Sequence, residues 1–381
     1  MEQMIPFNKP HITGKEVHYI YDAVATGHIS GNGKYTKMCQ RYFEERWGFK
    51  KTLLTTSCTD AIEMCALLLN IQPGDEVIMP SYTFVSTPLA FVRQGAKIVF
   101  ADSRTDRPGI DEDAIENLIT EKTKAIVPVH YAGVACDMGK IMAIANKHNL
   151  FVVEDAAQAI DSYYTAKDGI KKALGSIGHL AAFSFHETKN IQSGEGGLLA
   201  INDEQFIRRA EIIWEKGTNR TEFFRGEVNK YGWVDIGSSF LPSEVTAAFL
   251  WAQLEDLDKI QAKRKEIWEK YFQAFSELNF SKISLPIIPS YATNNGHMFY
   301  VICKNAKIRS QLISGLKKQN ILSVFHYLSL HKSMYYSKKH DGRILPNSDK
   351  YADTLVRLPL YVDMTNEDIK RVIKSIKEIT V

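Results

Sequence analysis

Cysteine is scarce and never paired in the sequence. The five present, Cys39, Cys58, Cys65, Cys136 and Cys303, are scattered and odd in number, with no Cys-x-x-Cys. That argues against a disulfide framework or a zinc site and fits reduced thiols in a cytoplasm. Long apolar runs are also missing. No stretch approaches the roughly 20 residues of a membrane span, and the opening residues, MEQMIPFNKPH, lack the apolar core of a signal peptide. Neither sign of charge dominates, since 47 Lys and Arg stand against 44 Asp and Glu for a net charge of +3. The basic residues are spread among acids, which reads as a solvated mixed surface and not as a nucleic-acid or membrane partner. Internal repeats and low-complexity segments are absent too. What remains is a globular composition, 45% apolar and 24% charged, in 381 residues. That is long enough for two cores.

Thr13-Gly14-Lys15-Glu16 has the form of a capping box, and Val17, Ile20, Tyr21 and Val24 follow at helical spacing, predicting an amphipathic helix over 14–26. A flexible loop, GHISGNG, and a helix over 35–47 come next. Apolar bursts at 52–55, 76–79, 97–101, 125–130, 150–154, 180–185 and 197–201 then alternate with helical patterns at 59–70, 84–94, 111–120 and 137–148. Such alternation predicts an α/β fold with a mostly parallel sheet covered on both faces. After Ile201 come a helix over 204–216, a polar loop over 217–231 and a helix over 243–278 with no Gly or Pro to interrupt it. A smaller α+β unit is expected to follow, with strands at 297–303 and 321–327, a helix at 307–319 and a last helix opening at Thr365. The division is a large domain over 1–250 and a small C-terminal domain over 251–381, packed as one body.

Two stretches carry chemistry. In FSFHETKNIQSGEGG (183–197) a strand-like run ends in a turn presenting Lys189, followed by Gly194, Gly196 and Gly197. In FVVEDAAQ (151–158) a second buried-looking strand delivers Asp155 at its carboxyl end. A lone loop lysine is ordinarily a solvated charge, and such an aspartate is often a helix cap or a core ion pair. Together they are more specific. Ligands of open α/β sheets sit outside the carboxyl ends of strands. A lysine that forms a Schiff base and a carboxylate that holds a pyridinium nitrogen are what pyridoxal phosphate (PLP) requires of a protein. Gln158, one turn on, is placed to bond the ring hydroxyl. TTSCT (55–59) opens a helix whose N–H groups suit a phosphate, with Ser57 and Thr59 adding hydroxyls and Ser184 a further donor. PSYTFVST (80–87) offers Tyr82 and Phe84 as planar cover for a planar cofactor, or simply as core aromatics.

The ordered set TSCTDA, PSYTFVST, VPVHYAGVACDM, VVEDAAQ, FSFHETKN and GEGG resembles the DegT/DnrJ/EryC1/StrS family of sugar aminotransferases, PLP enzymes of fold type I. The similarity runs on through FHYLSLH (325–331) and RLPL (357–360). EKGTNR, FFRGEVNKY and DIGSSF, within 215–240, are similar to the branch that makes dTDP-4-amino-4,6-dideoxygalactose.

Carried over by residue, the resemblance implies that Lys189 bears the cofactor and moves the proton, that Asp155 pairs with the ring nitrogen and that Gln158 contacts the ring oxygen. Cys58 by its backbone, Thr59 and Ser184 would form the phosphate cup. Phe84 would stack on the ring, and His186 would line the sugar side. In many relatives a Gly-x-Asn-x-Arg run sends its Asn to the phosphate of the neighbouring subunit. Here Ser239 and Leu241 replace that Asn and Arg. The cations of the loop 216–230 suit a nucleotide-sugar pyrophosphate, with Arg220 and Arg225 the choices because guanidinium binds phosphate bidentately.

The expected reaction joins L-glutamate and dTDP-4-keto-6-deoxyglucose in a cytoplasmic homodimer with shared active sites, supplying a cell-surface polysaccharide such as lipopolysaccharide. No metal is expected. A 3-keto sugar, the gluco epimer at C4, or a non-catalytic PLP-fold binding protein are the alternatives.

Overall fold

The computed structural model describes residues 3–278 and 280–380. Seven strands form one sheet in the order Lys51–Thr55, Gly197–Ile201, Leu180–Ser184, Phe151–Asp155, Thr123–Ile126, Glu76–Pro80 and Lys97–Ala101. The last five pair parallel, while Gly197–Ile201 runs antiparallel to both its neighbours. The sheet is therefore mixed but mostly parallel.

Alternate residues of one strand feed two cores. Val152, Ala181 and Leu198 pack on one face, and Val153, Ala182 and Leu199 on the other. Burial on both faces is why these strands read as continuous apolar runs and not as alternating ones. The pairing of Asp155 with Ala182 brings the carboxyl ends of Phe151–Asp155 and Leu180–Ser184 side by side. Asp155 and the turn that bears Lys189 thus leave the sheet at the same edge.

A second sheet, in the order Ile283–Ser284, Phe299–Cys303, Leu355–Leu358 and Val324–Phe325, is wholly antiparallel. Tyr271, Phe275, Phe299, Leu316 and Val372 build its separate core. Ile5 joins that core from the chain's start, pairing with Ile321.

Several expectations need correction. The continuous helix over 243–278 is two helices, Glu244–Glu255 and Leu257–Ser276, broken at Asp256. No Gly or Pro is required for the break. Ala247, Leu250 and Leu254 face the large core, whereas Ile267, Tyr271 and Phe275 face the small one. In 111–120 only the 3₁₀ turn Glu116–Leu118 forms, and the buried Ile110 and Ile115 anchor the segment without a helix. The strand expected over 321–327 is confined to Val324–Phe325, and Tyr327 adopts φ 51°. The first helix runs Glu16–Ala25, and of its apolar stripe only Ile20 packs against the large core, while Val17 is 76% and Tyr21 72% exposed. Its capping box is half formed. Glu16 accepts from the amides of Thr13 (2.8 Å) and Gly14 (2.9 Å), but the Thr13 hydroxyl caps only Lys15. The loop over 217–231 holds a short helix, Arg220–Phe224. A hairpin of Tyr163–Thr165 with Lys171–Ala173 and the helix Pro346–Thr354 also lie outside the expected elements.

Candidate active site

The strand Leu180–Ser184 runs into a turn closed on itself. Phe185 N–H donates to Gly196 O (2.9 Å), Glu187 N–H to Gly194 O (2.9 Å) and Lys189 N–H to His186 O (2.9 Å). Gly194 supplies the positive φ of 77° that this closure needs. Gly197 has a different task. A Cβ there would overlap the backbone of Ser57 and Cys58, so the strand can touch the start of the helix Cys58–Leu68 only as glycine.

Lys189 is half-buried, and its ammonium has no hydrogen bond or ion pair among the described residues. Burial pushes its pKa below the ordinary lysine range. The Arg357 charge acts in the same direction, while Cys58 and Asp155 oppose it.

Asp155 is buried at its strand end. Its Oδ2 accepts from Thr87 Oγ1 at 2.7 Å, and its Oδ1 from the Ala157 amide at 3.1 Å. Because Thr87 spends its one proton on the carboxylate, its 2.9 Å bond to Thr83 is one it accepts. Gln158 Oε1 accepts from the Ala132 amide (2.6 Å), leaving Nε2 to donate to the Tyr327 hydroxyl (3.0 Å). The Tyr327 ring lies 6.0 Å from that of Phe84, which is 55% exposed and presents an open face.

Thr59 Oγ1 meets Ser86 Oγ at 2.7 Å, so the starts of the helices Cys58–Leu68 and Ser86–Val92 converge. Ser57 caps the first of these through the Asp60 amide (3.1 Å). Cys58 sits half-buried at the same start, its thiol pushed well up by burial. Ser184 is half-buried and accepts from the His186 amide at 3.4 Å. His186 bonds Thr188 Oγ1 through Nδ1 (3.0 Å), within its own turn.

Arg357, on the strand Leu355–Leu358, adds a charge that motif reading left unassigned. Its Nε is buried without a hydrogen-bond partner, and its guanidinium lies 4.7 Å over the Phe7 ring. Burial pushes its pKa down. A second buried cation, Arg264, donates only to carbonyls, those of Gly296 (3.1 Å), His297 (2.7 Å) and Leu360 (3.5 Å). Its pKa is pushed down to about 9 by burial and then by the Arg357 charge. Burial, and after it the charges of Lys189, Arg357 and Arg264, holds His297 neutral. Cations taken out of water without carboxylate partners are costly, and the arrangement calls for an anion.

Arg220, Arg225 and Ser239 lie together elsewhere. They line an open cleft of about 870 Å³, with Lys37, Arg41 and Lys216, that includes neither Lys189 nor Asp155. Arg225 is committed to Glu211 and Glu227, each at 2.7 Å. Arg220 makes no ion pair among the described residues and lies 5.2 Å over Phe224. The cleft is a solvated surface of mixed charge and carries no reactive group comparable to Lys189.

Thr87, Tyr327 and Arg357 are the members missed in the sequence. Each stood inside a quoted motif, but the partners of Thr87 and Tyr327 lie far along the chain, and Arg357 is marked by an Nε that has none among the described residues.

A model of the DegT/DnrJ/EryC1/StrS aminotransferase family matches residues 10–377. The spore coat polysaccharide biosynthesis protein SpsC of Bacillus subtilis is 32% identical over 384 residues, covering 98% of this chain and 97% of that protein. The aminotransferase TlmJ of Streptoalloteichus hindustanus superposes with a TM-score of 0.90 at 26% identity, over 99% of both chains. Spr1654 of Streptococcus pneumoniae, solved in its PMP form, does so with a TM-score of 0.90 at 26% identity, over 99% of this chain and 98% of that one. Among the described residues no helix is long and apolar enough to cross a membrane.

Proposed function

We propose, from the fact that the chain belongs to the DegT/DnrJ/EryC1/StrS aminotransferase family, that it transfers the amino group of L-glutamate to C4 of dTDP-4-keto-6-deoxyglucose. The products are 2-oxoglutarate and dTDP-4-amino-4,6-dideoxygalactose. Members of this family are PLP-dependent sugar aminotransferases, and the fold is that of those enzymes.

The residues fit the cofactor. Two converging helix starts with the hydroxyls of Thr59 and Ser86, walled by a glycine where a Cβ would collide, suit a phosphate. Cys58 by its backbone and Ser184 complete that cup in our reading. Asp155, buried and bonded by Thr87, suits the ring nitrogen, and Gln158 is held for the ring oxygen. Phe84 offers an open ring face for stacking. When bound, PLP supplies the carbonyl that accepts the amino group and the electron sink for the carbanion.

The observation that carries the reading is Lys189, half-buried, with no polar partner for its ammonium among the described residues and with its pKa pushed down. A lysine that loses its proton readily can take one up at Nζ and return it to a neighbouring carbon. Asp155 would hold the ring nitrogen from its strand end. Arg357, whose Nε has no hydrogen-bond partner among the described residues and whose charge helps to depress the pKa of Lys189, suits the carboxylate of the amino donor. His186 lines the sugar side.

Arg220 and its neighbouring cations suit the nucleotide pyrophosphate, with Arg225 held by its two glutamates as a support. Their cleft excludes Lys189 within one chain. We therefore read the protein as a homodimer in which the cleft and Ser239 of one copy serve the lysine of the other. The amino sugar would enter a cell-surface polysaccharide, lipopolysaccharide among them, from the cytoplasm; SpsC is named for spore coat polysaccharide biosynthesis.

Incubating the protein with L-glutamate and a panel of keto-sugar nucleotides, then assigning the product by NMR, tests the reading. An axial amine at C4 is expected. A 3-amino sugar or the gluco epimer would replace the substrate assignment, and no turnover with any sugar would favour a binding protein.

A further inference from the structure

Lys189 Nζ has no polar partner of its own among the described residues, so something else must aim it. On one side its amide closes the turn to His186 O (2.9 Å). On the other lies Asn190, 3% exposed and fully engaged. Its Nδ2 donates to Gln261 Oε1 (2.7 Å) and to the Asn295 carbonyl (2.9 Å). With both amide protons used, Oδ1 must accept the 2.8 Å bond from His297 Nδ1, which fixes that imidazole's proton on Nδ1.

The same cluster holds Gln158. Asn295 Nδ2 donates to the carbonyls of Gln158 (2.8 Å) and Ile160 (2.9 Å), while Asn295 Oδ1 accepts from the His297 amide (3.0 Å). Asn295 also lies so close to Gly133 that a Cβ there would overlap its amide group. Gln261 comes from the helix Leu257–Ser276, and Asn295 and His297 from the approach to the strand Phe299–Cys303.

We propose that Asn190 is the positioning residue for Lys189. It ties the lysine's backbone to the C-terminal unit and, through Asn295, to the register of Gln158. The inference rests on Lys189 being the reactive lysine but on no choice of sugar or amino donor. Loosening the tie should let water reach the ammonium and raise its pKa, because burial is what lowers it.

The test is Asn190→Ala in the full chain. In cofactor-free protein, trace acetylation with acetic anhydride across pH, read at the Lys189 peptide by mass spectrometry, gives the lysine's titration midpoint. The midpoint should rise toward that of an ordinary lysine while those of surface lysines stay fixed. In the cofactor-loaded enzyme kcat should fall on the order of tenfold or more, as for a slightly misplaced catalytic group, with KM changed by less than about threefold. A folded variant with the wild-type midpoint and kcat, or with an effect on KM alone, overturns the proposal. Should Asn190→Ala fail to fold, Gln261→Met removes one partner of the amide and leaves Asn190 in place. A smaller rise in the same midpoint then supports the proposal, and no rise overturns it. A substrate other than the one proposed above would leave the labelling result untouched.

Discussion

Glu154, the residue before Asp155, is fully buried, and four donors converge on its carboxylate. Oε2 accepts from His130 Nε2 (2.9 Å) and the Gly175 amide (2.8 Å), and Oε1 from the amides of Ile177 (2.8 Å) and Gly178 (2.5 Å). Glu154→Gln keeps the shape and gives up half of the acceptors. Whichever way the new amide lies, its NH2 faces two donors. If it faces His130, the ring has no easy escape, because Nδ1 already takes the Cys136 amide at 3.3 Å. Two hydrogen bonds to a charged group are lost, at about 1.5–3 kcal/mol each, so destabilisation of about 3–6 kcal/mol is expected. With an unfolding entropy of about 2.1 cal/mol/K per residue, a chain of this length should melt about 4–7.5 °C lower.

The pH dependence follows from the same contacts. Burial works to raise the Glu154 pKa, but the hydrogen bond from His130 and those from the amides of Gly178 and Gly175 prevail, and the net value lies below the ordinary 4.5. A depressed carboxyl pKa stabilises the fold fully above the unfolded value and ceases to do so as pH falls through the folded one. The gap between wild type and variant should therefore be wide at neutral pH and narrow below pH 4.5. Thermal melts of both proteins across pH measure it. A variant that melts within about 1 °C of wild type at neutral pH would show that these four contacts hold nothing the amide cannot.

Lys189→Ala should keep the fold and bind the cofactor without a covalent bond but lose turnover, and measurable wild-type activity in that variant would remove Lys189 from the reaction. Asp155→Asn should lower kcat by roughly a hundredfold or more with a smaller change in KM, because its charge acts mainly in the transition state. An unchanged rate would make Asp155 a structural cap. Ser239→Ala should raise the cofactor dissociation constant several-fold without splitting the dimer, since one hydroxyl bond contributes about 0.5–1.5 kcal/mol. Cofactor titration beside sedimentation reads both quantities, and an active monomeric wild type would defeat the shared-site arrangement.

How far the site could be read beforehand depends on the distance over which each contact closes. The turn bearing Lys189 is local. Its bonds span His186 to Lys189 and Glu187 to Gly194, and its glycines announce it. The strands were legible for a similar reason, since burial on both faces leaves an apolar run that needs no partner to be recognised. Thr87 is different. It reaches Asp155 across 68 residues, and Gln158 reaches Tyr327 across 169, so neither pairing leaves a local trace. Arg357 is harder still, because what marks it is an absent partner. The break at Asp256 was hidden because two good helix patterns abut there, each facing its own core.

The helix Glu16–Ala25 shows the converse. Its spacing of Val17, Ile20, Tyr21 and Val24 was read as one apolar face, but periodicity reports that a face is apolar and not what covers it, and only Ile20 packs against the large core, leaving Val17, Tyr21 and Val24 outside. All three side chains are more than half exposed in the single chain. Phe224, 69% exposed, and Trp233, 85% exposed, are likewise uncovered in the segment that follows Lys216. Apolar surface of this kind on a folded chain marks an interaction site more often than a monomer's ordinary exterior. The cleft with Ser239 and Arg220, the outward stripe and the uncovered aromatics would all be accounted for by one arrangement, a second copy that brings its own Lys189 to the cleft. If sedimentation finds a dimer, Val17→Asp should weaken it where Ser239→Ala does not.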